Sequence, residues 1–563
     1  MRRILLVIIL LAVVVVPGTA QNTTTTLLEA ARHFPADTEL FAVVQTDSEH
    51  LGQLDTIFYQ LTSDLPDDVV PPLTLREALS RVLLPNFEGN LMNAVSLWIG
   101  DYIAVGLTGI DYLLDTDLEN DSEARVQVVM DVRNQTLALT SLALTGLLRD
   151  TEVQTMDDGT MIYTDEAANR VLAINDKLLW VTIGSTDLQF NYAQVLADQP
   201  QYADTVSELP ADAYTGIIYQ SASTLLRDIV TDPGVQEIFA ALGLDINTLG
   251  DIAIGFKIAD ERSLILDVVQ LRTTADLPAS QPLDPDFVAN LPADGSFVLQ
   301  LTDLNTLVNT ASGLIASISA SETTQTIYDQ FERLTRLLLG LDLRQDILDW
   351  TRGDYGVVIE LDPLAEDLPL EIGALFEITD RERAEILVAS LGTAIVDLLP
   401  DTVTVSEDVL VIDTSSNPIR MDVLKFDIET ETGNVVMVLG VTDELLLLAT
   451  YDMAVEILAE GPRLNEAASY QEADRYRLPE SYLMVFVNQD GPTKLLVLGS
   501  ALIEPLWNLV FQTDIPISLT RFTDVPVSDT FSSSTVSIAA SPENSVLLRL
   551  VVTLQAKRSA DAQ

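Results

Sequence analysis

Four short landmarks occur twice in the chain, in the same order and 252–269 residues apart, so the fold must be one that a single unit can repeat in tandem. Phe34-Pro35-Ala36-Asp37 leads into the apolar run Leu40–Val44 and then Thr46-Asp47; Leu291-Pro292-Ala293-Asp294 leads into Phe297–Leu301 and Thr302-Asp303. Trp98-Ile99-Gly100-Asp101-Tyr102 is matched by Trp350-Thr351-Arg352-Gly353-Asp354-Tyr355. Leu178–Val181 followed by Asp187 is matched by Leu445–Leu448 followed by Asp452. Finally, Tyr202 with Leu209-Pro210-Ala211-Asp212 is matched by Tyr470 with Leu478-Pro479-Glu480-Ser481. Small loop insertions explain the drift in spacing, whereas unrelated segments would scatter.

The physics of the repeated segments indicates what each half contains. A proline cannot donate to a β-ladder and biases its predecessor towards extended geometry, so Pro35 and Pro292 start strands. The Thr-Asp that closes each of those strands offers an N-cap to a following helix. Strand patterns also cover 125–132, 171–174, 251–258, 264–271, 356–361, 371–378, 435–441 and 536–540. Helical patterns cover 134–148, 304–318, 324–339, 381–399 and 494–511. Many strands follow one another with no helix between them, which disfavours a doubly wound parallel sheet. The expected class is α+β: two homologous tandem lobes, each with a mainly antiparallel sheet and helices packed on one face. The expected boundaries are a signal peptide at 1–20, a short lead at 21–34, a first half at 35–280, a linker at 281–290, a second half at 291–555 and a polar tail at 556–563.

Met1-Arg2-Arg3, thirteen apolar residues from Ile4 to Val16 and then Pro17-Gly18-Thr19-Ala20 have the charged, apolar, small order of a secretory signal. As a helix the apolar run spans about 20 Å, short of the roughly 30 Å hydrocarbon core, which favours cleavage after Ala20 over a retained anchor. The expected location is extracytoplasmic, secreted or associated with the cell envelope. The chain has no Cys, which excludes disulfides, zinc–thiolate sites and a cysteine nucleophile. With 30 Lys+Arg against 85 Asp+Glu the net charge is −55, which excludes nucleic acid as a partner. Hydrophobic residues make up 48% of the chain, enough to build cores despite that charge. Lysine occurs only at 177, 257, 425, 494 and 557, a surface chemistry that adaptation to high salt would also produce.

The repeated Leu-Pro-Ala-Asp segments, the Trp-x-Gly-Asp-Tyr opening at Trp98 with its Trp350 counterpart, and the Tyr-to-Leu-Pro segments after a helix resemble a bacterial secreted family, domain of unknown function 3352. The resemblance covers about Pro35 to Leu554 and implies an exported or envelope-associated protein of two-lobed α+β build. It carries over no catalytic residue. The second copy departs from the pattern at Pro479-Glu480-Ser481 and in the spacing of Trp350 from its Gly-Asp.

Chemistry-bearing residues are few in kind. His33 and His50 are the only histidines, neither has a counterpart in the second half, and no Gly-x-Ser-x-Gly elbow accompanies them, so a Ser-His-Asp site is not indicated and both are expected at the surface. No Walker-type or Gly-x-Gly-x-x-Gly loop occurs. Asp115, Asp117, Glu119 and Asp121 place oxygen ligands at alternate positions, as at the start of a Ca²⁺ loop, but Asn120 replaces the turn glycine and Val126 the closing glutamate. The Gly-Asp-Tyr elements are expected to be turns in which Gly permits the bend, Asp bonds local backbone and Tyr packs. Three functional readings follow: a non-enzymatic exported protein that binds an extracytoplasmic partner or serves the envelope, an exported hydrolase working through carboxylates, and a calcium-dependent surface module. Membrane contact is expected only through the signal segment.

Overall fold

The structure is a computed structural model. It describes residues 23–46, 97–109, 125–144, 146–149, 151–186, 192–211, 214–222, 249–260, 262–272, 281–302, 353–361, 370–395, 402–412, 418–430, 433–489, 531–540 and 545–555, and single positions at 59, 336, 350, 351 and 491. The chain divides into two compact units, Met1–Ala241 with Ile246–Thr273 and Ser545–Leu547, and Leu242–Asp245 with Thr274–Asn544 and Leu548–Gln563.

The first unit contains α1 (Thr23–Ala30), β1 (Leu40–Gln45), β2 (Ile99–Thr108), β3 (Arg125–Val132), α2 (Gln135–Leu144), β4 (Glu152–Thr155), β5 (Met161–Asp165), β6 (Arg170–Ile174), β7 (Leu178–Ile183), α3 (Pro200–Ser207), β8 (Gly216–Gln220), β9 (Leu249–Ile258) and β10 (Ser263–Arg272). Its strands are ordered β4-β5-β6-β7-β3-β2-β1-β8-β9-β10, and every neighbouring pair is antiparallel. The bridge between Pro35 and Val195 starts the path into β1, as a proline without a ladder donor should.

The second unit contains β11 (Phe297–Leu301), β12 (Tyr355–Leu361), β13 (Leu370–Glu377), α4 (Arg381–Ile395), β14 (Val403–Ile412), β15 (Ile419–Thr430), β16 (Gly433–Val441), β17 (Leu445–Thr450), α5 (Tyr451–Leu458), α6 (Ala468–Asp474), β18 (Ser481–Asn488), β19 (Phe531–Ala540) and, from Leu548 onward, β20 (Ser545–Leu554). The order is β14-β15-β16-β17-β13-β12-β11-β18-β19-β20, antiparallel from β14 to β19. Position by position this is the strand order of the first unit. Pro292 bridges Arg463 as Pro35 bridges Val195.

Both faces of each sheet carry helices, whereas the sequence pattern suggested one. In β3, Val129 faces a core shared with Leu27 of α1, Phe41, Trp180 and Tyr202 of α3, while Val132 faces a second core with Trp98 and with Ala138 and Leu142 of α2. In the second unit, Leu375 and Leu447 join Met453 of α5 and Tyr470 of α6, while Leu446 joins Trp350 and Leu387 of α4 on the other side. The reason lies in strands such as Leu178–Ile183 and Leu445–Thr450, which are apolar at consecutive positions and cannot leave either face to water. Trp98 and Trp350 are each 2% exposed and occupy matching places in the α2-side and α4-side cores. Tyr202 and Tyr470 lie within the short helices α3 and α6, rather than after a helix. The helical patterns at 304–318, 324–339 and 494–511 lie outside the described residues.

Candidate functional site

The two Gly-Asp segments that follow Trp98 and Trp350 are built alike. The backbone N–H of Asp101 donates to Asp131 Oδ2 at 2.7 Å, and that of Asp354 donates to Glu377 Oε2 at 2.9 Å. The Trp98 carbonyl accepts from the N–H of Arg133 at 2.7 Å, and the Trp350 carbonyl from that of Thr379 at 2.9 Å. A carboxylate near the end of β3 or β13 therefore grips the Gly-Asp segment, which in the first unit is already part of β2 rather than the expected turn and in the second lies just ahead of β12. Gly is required because the gripping side chain occupies the Cβ position: a Cβ on Gly100 would lie 1.8 Å from Asp131 Oδ2, and one on Gly353 would lie 2.1 Å from Glu377 Oε2.

The aspartate side chains in these segments differ. Asp101 is exposed and pairs with Arg133 at 2.9 Å, an interaction worth at most about 1 kcal/mol in water. Asp354 is buried, and its Oδ2 accepts from the Asp284 N–H at 2.7 Å and from Gln300 Nε2 at 2.6 Å. Gln300 Nε2 also donates to the Asp284 carbonyl at 2.8 Å, so the segment entering β11 is tied to the turn. The sequence pattern suggested that these aspartates bond local backbone; Asp354 instead bonds a segment 70 residues away. Burial pushes the Asp354 carboxyl up to about 7; its two donors oppose the shift, and the Glu377 and Asp284 carboxylates add to it. Burial also raises Glu377, against the N–H of Asp354 and with the Asp284 and Glu444 charges.

A second polar cluster lies on the first unit's α3-side face. Gln127 is 2% exposed, and its Nε2 donates to the His33 carbonyl at 2.8 Å while its Oε1 accepts from the Tyr192 hydroxyl at 2.7 Å. Thr182 stands directly across from Gln127 in the β3–β7 ladder, so the two side chains share a face. Its hydroxyl is buried and has no hydrogen-bond partner among the described residues. The His33 ring packs edge-on to Trp180 with centroids 6.4 Å apart. His33 is half-buried rather than a plain surface residue, and burial holds its imidazole below the ordinary value, hence neutral at pH 7. The cluster thus presents hydroxyl, carboxamide, phenol and neutral imidazole, and no charged acid–base pair.

The register locates the matching place in the second unit. Asp131 pairs with Leu178 and Glu377 with Leu445; four residues earlier, Gln127 pairs with Thr182 and Gly373 with Ala449. There the space is apolar and filled, since a Cβ on Gly373 would lie 2.6 Å from Ile457 Cδ1 and 2.9 Å from Met453 Cγ, both from α5. One frame therefore carries a polar cluster in one unit and a packed core in the other. Sequence reading missed this cluster because its members are scattered over 33–192; only the cross-strand register brings them together.

The candidate Ca²⁺ ligands Asp115, Asp117, Glu119 and Asp121, and His50, lie outside the described residues. Among the described residues no group of three or more His, Cys, Asp or Glu is placed to hold a metal ion.

No curated protein matches the chain. Crystal forms III and IV of TP0453 are similar over 44% and 43% of this chain and 81% and 82% of their own, at 6% and 9% identity and a TM-score of 0.25 in each case, a likeness too slight to bear on fold or function. The family described as protein of unknown function, DUF3352, matches residues 3–397. That stretch holds both gripped Gly-Asp segments and all four members of the polar cluster, and over more than half its length the chain belongs to this family.

Proposed function

We propose that the protein is an exported, non-enzymatic binding protein built from two copies of one ten-strand lobe, acting outside the cytoplasm on a partner or at the envelope. The observation that carries this reading is the contrast at matched register: Gln127 and Thr182 against Gly373 and Ala449. A duplicated frame in which one copy has a filled core and the other an uncharged hydrogen-bonding cluster suits recognition, since carboxamide, hydroxyl and phenol groups offer directional donors and acceptors. The shared strand order and the twin carboxylate-gripped Gly-Asp segments support descent of the halves from one ancestral unit. Export rests on the Arg2-Arg3, apolar, Ala20 order of the leader. Among the described residues no helix is long and apolar enough to cross a membrane.

The test is to fractionate expressing cells and sequence the amino terminus of the product. The expected result is an extracytoplasmic chain starting at Gln21 with charge −57 after loss of Arg2 and Arg3 from the −55 precursor. A cytoplasmic product that retains Met1 would contradict the proposal.

The second reading, a hydrolase working through carboxylates, is favoured by Asp354, which is half-protonated near neutrality and lies close to Glu377. The geometry gives both carboxylates structural work: Glu377 grips the Asp354 N–H, and Asp354 Oδ2 receives two donors. Asp354→Asn separates the readings, because a hydrolase would lose turnover whereas a clamp keeps both bonds.

A further inference from the structure

We propose that the free edge of β14 receives an extended, basic segment of a partner protein as an added strand. The inference rests on the binding reading and names its partner class. β14 runs for ten residues and pairs with β15 from Val403 opposite Ile428 to Ile412 opposite Ile419; among the described residues its other edge has no neighbour. The matching edge of the first unit, β4, is only four residues long. Short edge strands are a common protection against unwanted pairing, and β14 lacks that protection.

Backbone polarity shows which groups the edge offers. The N–H of Val409 donates to its neighbour's carboxylate, Asp408 Oδ1, at 2.8 Å, so it is turned away from β15. The Thr402 carbonyl, of opposite parity, accepts from the Glu429 N–H at 2.9 Å and faces β15. In an antiparallel strand both backbone groups of a residue point the same way and alternate along the chain. Val403, Val405, Glu407, Val409 and Val411 therefore direct their donors and acceptors outward. Val409 and Val411 are each 49% exposed, giving an incoming strand apolar surface beside the open ladder.

The charge pattern selects the occupant. Glu407 and Asp408 sit exposed at the middle of a strand that has no basic residue. Antiparallel pairing of β14 with a second copy about that midpoint keeps outward residues opposite outward residues, and so sets Glu407 opposite Glu407 or Asp408 opposite Asp408, a like-charge contact between chains of net charge −55. A strand bearing Lys or Arg opposite those positions has the complementary pattern. Asp408 serves meanwhile as a guard on the Val409 N–H, and becomes available as a counter-ion when a backbone carbonyl of the guest replaces it.

The probe is a capped eight-residue peptide alternating valine with lysine and threonine, titrated by fluorescence anisotropy into the full chain, with amide hydrogen exchange read in parallel. The expected result is saturable binding that slows exchange at Val405, Glu407 and Val409. Methylating alternate peptide amides should weaken binding at least tenfold, as should Val409→Pro, which removes an outward N–H and leaves the β15 ladder intact. The double change Glu407→Lys with Asp408→Lys should transfer preference to the glutamate version of the peptide. If Val409→Pro fails to fold, the methylated peptide makes the same test from the ligand side. No binding, equal binding of the methylated peptide, protection elsewhere than 403–412, or self-association through this edge would each overturn the proposal, and none bears on where the protein is exported.

Discussion

Gly353→Ala is expected to destabilise the second unit by about 3 kcal/mol, read as a fall in its unfolding midpoint in urea. Two effects act in the same direction. Gly353 has φ +151°, a backbone conformation that side-chain-bearing residues rarely adopt. The new methyl would also lie 2.1 Å from Glu377 Oε2 and 2.6 Å from Glu377 Cβ, so swinging the carboxylate tip aside is not enough. Moving Glu377 breaks its bond to the Asp354 N–H and loosens the turn that places Trp350 in its core. Gly100→Ala produces a similar overlap with Asp131 without the unusual φ, and Asp131 lies on a strand end beside exposed Asp101. Its loss should therefore be smaller, and equal losses in the two variants would contradict the strain account.

Asp354→Asn is expected to stabilise the protein at pH 8 and to do so by only about a third as much at pH 5. The folded-state carboxyl titrates at about 7, against an ordinary value of 3.8. Between those limits the native state holds a proton that the unfolded chain has released, so this group's contribution is fully present below about pH 4 and is lost as pH rises through about 7. A three-unit shift corresponds to a ceiling of about 4 kcal/mol, and relaxation of the surroundings about the buried charge reduces the expected difference to about 1–3 kcal/mol. The Asn carbonyl oxygen can accept from Asp284 N–H and Gln300 Nε2 as Asp354 Oδ2 does, without a charge to bury. Urea melts of both proteins from pH 5 to 8 measure the effect. Wild type should lose stability across the range and the variant should lose less, with Glu377 and Glu456, both raised by burial, contributing to the remaining slope. Parallel curves would show that Asp354 is ionised throughout.

Long apolar stretches were legible, and interruptions were not. The pattern at 251–258 is β9, that at 264–271 is β10, that at 371–378 is β13 apart from its last residue, and the helix at 381–399 is α4, described to Ile395. β14 went unread because Ser406, Glu407 and Asp408 break its alternation; its middle is exposed on both faces, so no buried face imposes a period. The Gly-Asp segments stood out, although the first lies within β2 and not in a turn; their partners did not, because Asp131 and Glu377 reach them only through pairing of β2 with β3 and β12 with β13. His33 looked like surface because composition cannot reveal that Trp180, some 150 residues later, shields its ring.

The central claim of the proposal is that one lobe was copied and that the copies then diverged at matched places, among them Gln127 and Thr182 against Gly373 and Ala449. The most direct measurement is an experimental structure of the full chain, with the first unit superposed on the second using Asp131 on Glu377 and Trp98 on Trp350 as anchors. The account predicts that the ten strands coincide in order and direction, and that Gln127 and Thr182 fall on Gly373 and Ala449. A different chain path in the two units, or an apolar plug over Thr182 like the one Ile457 forms over Gly373, would contradict it.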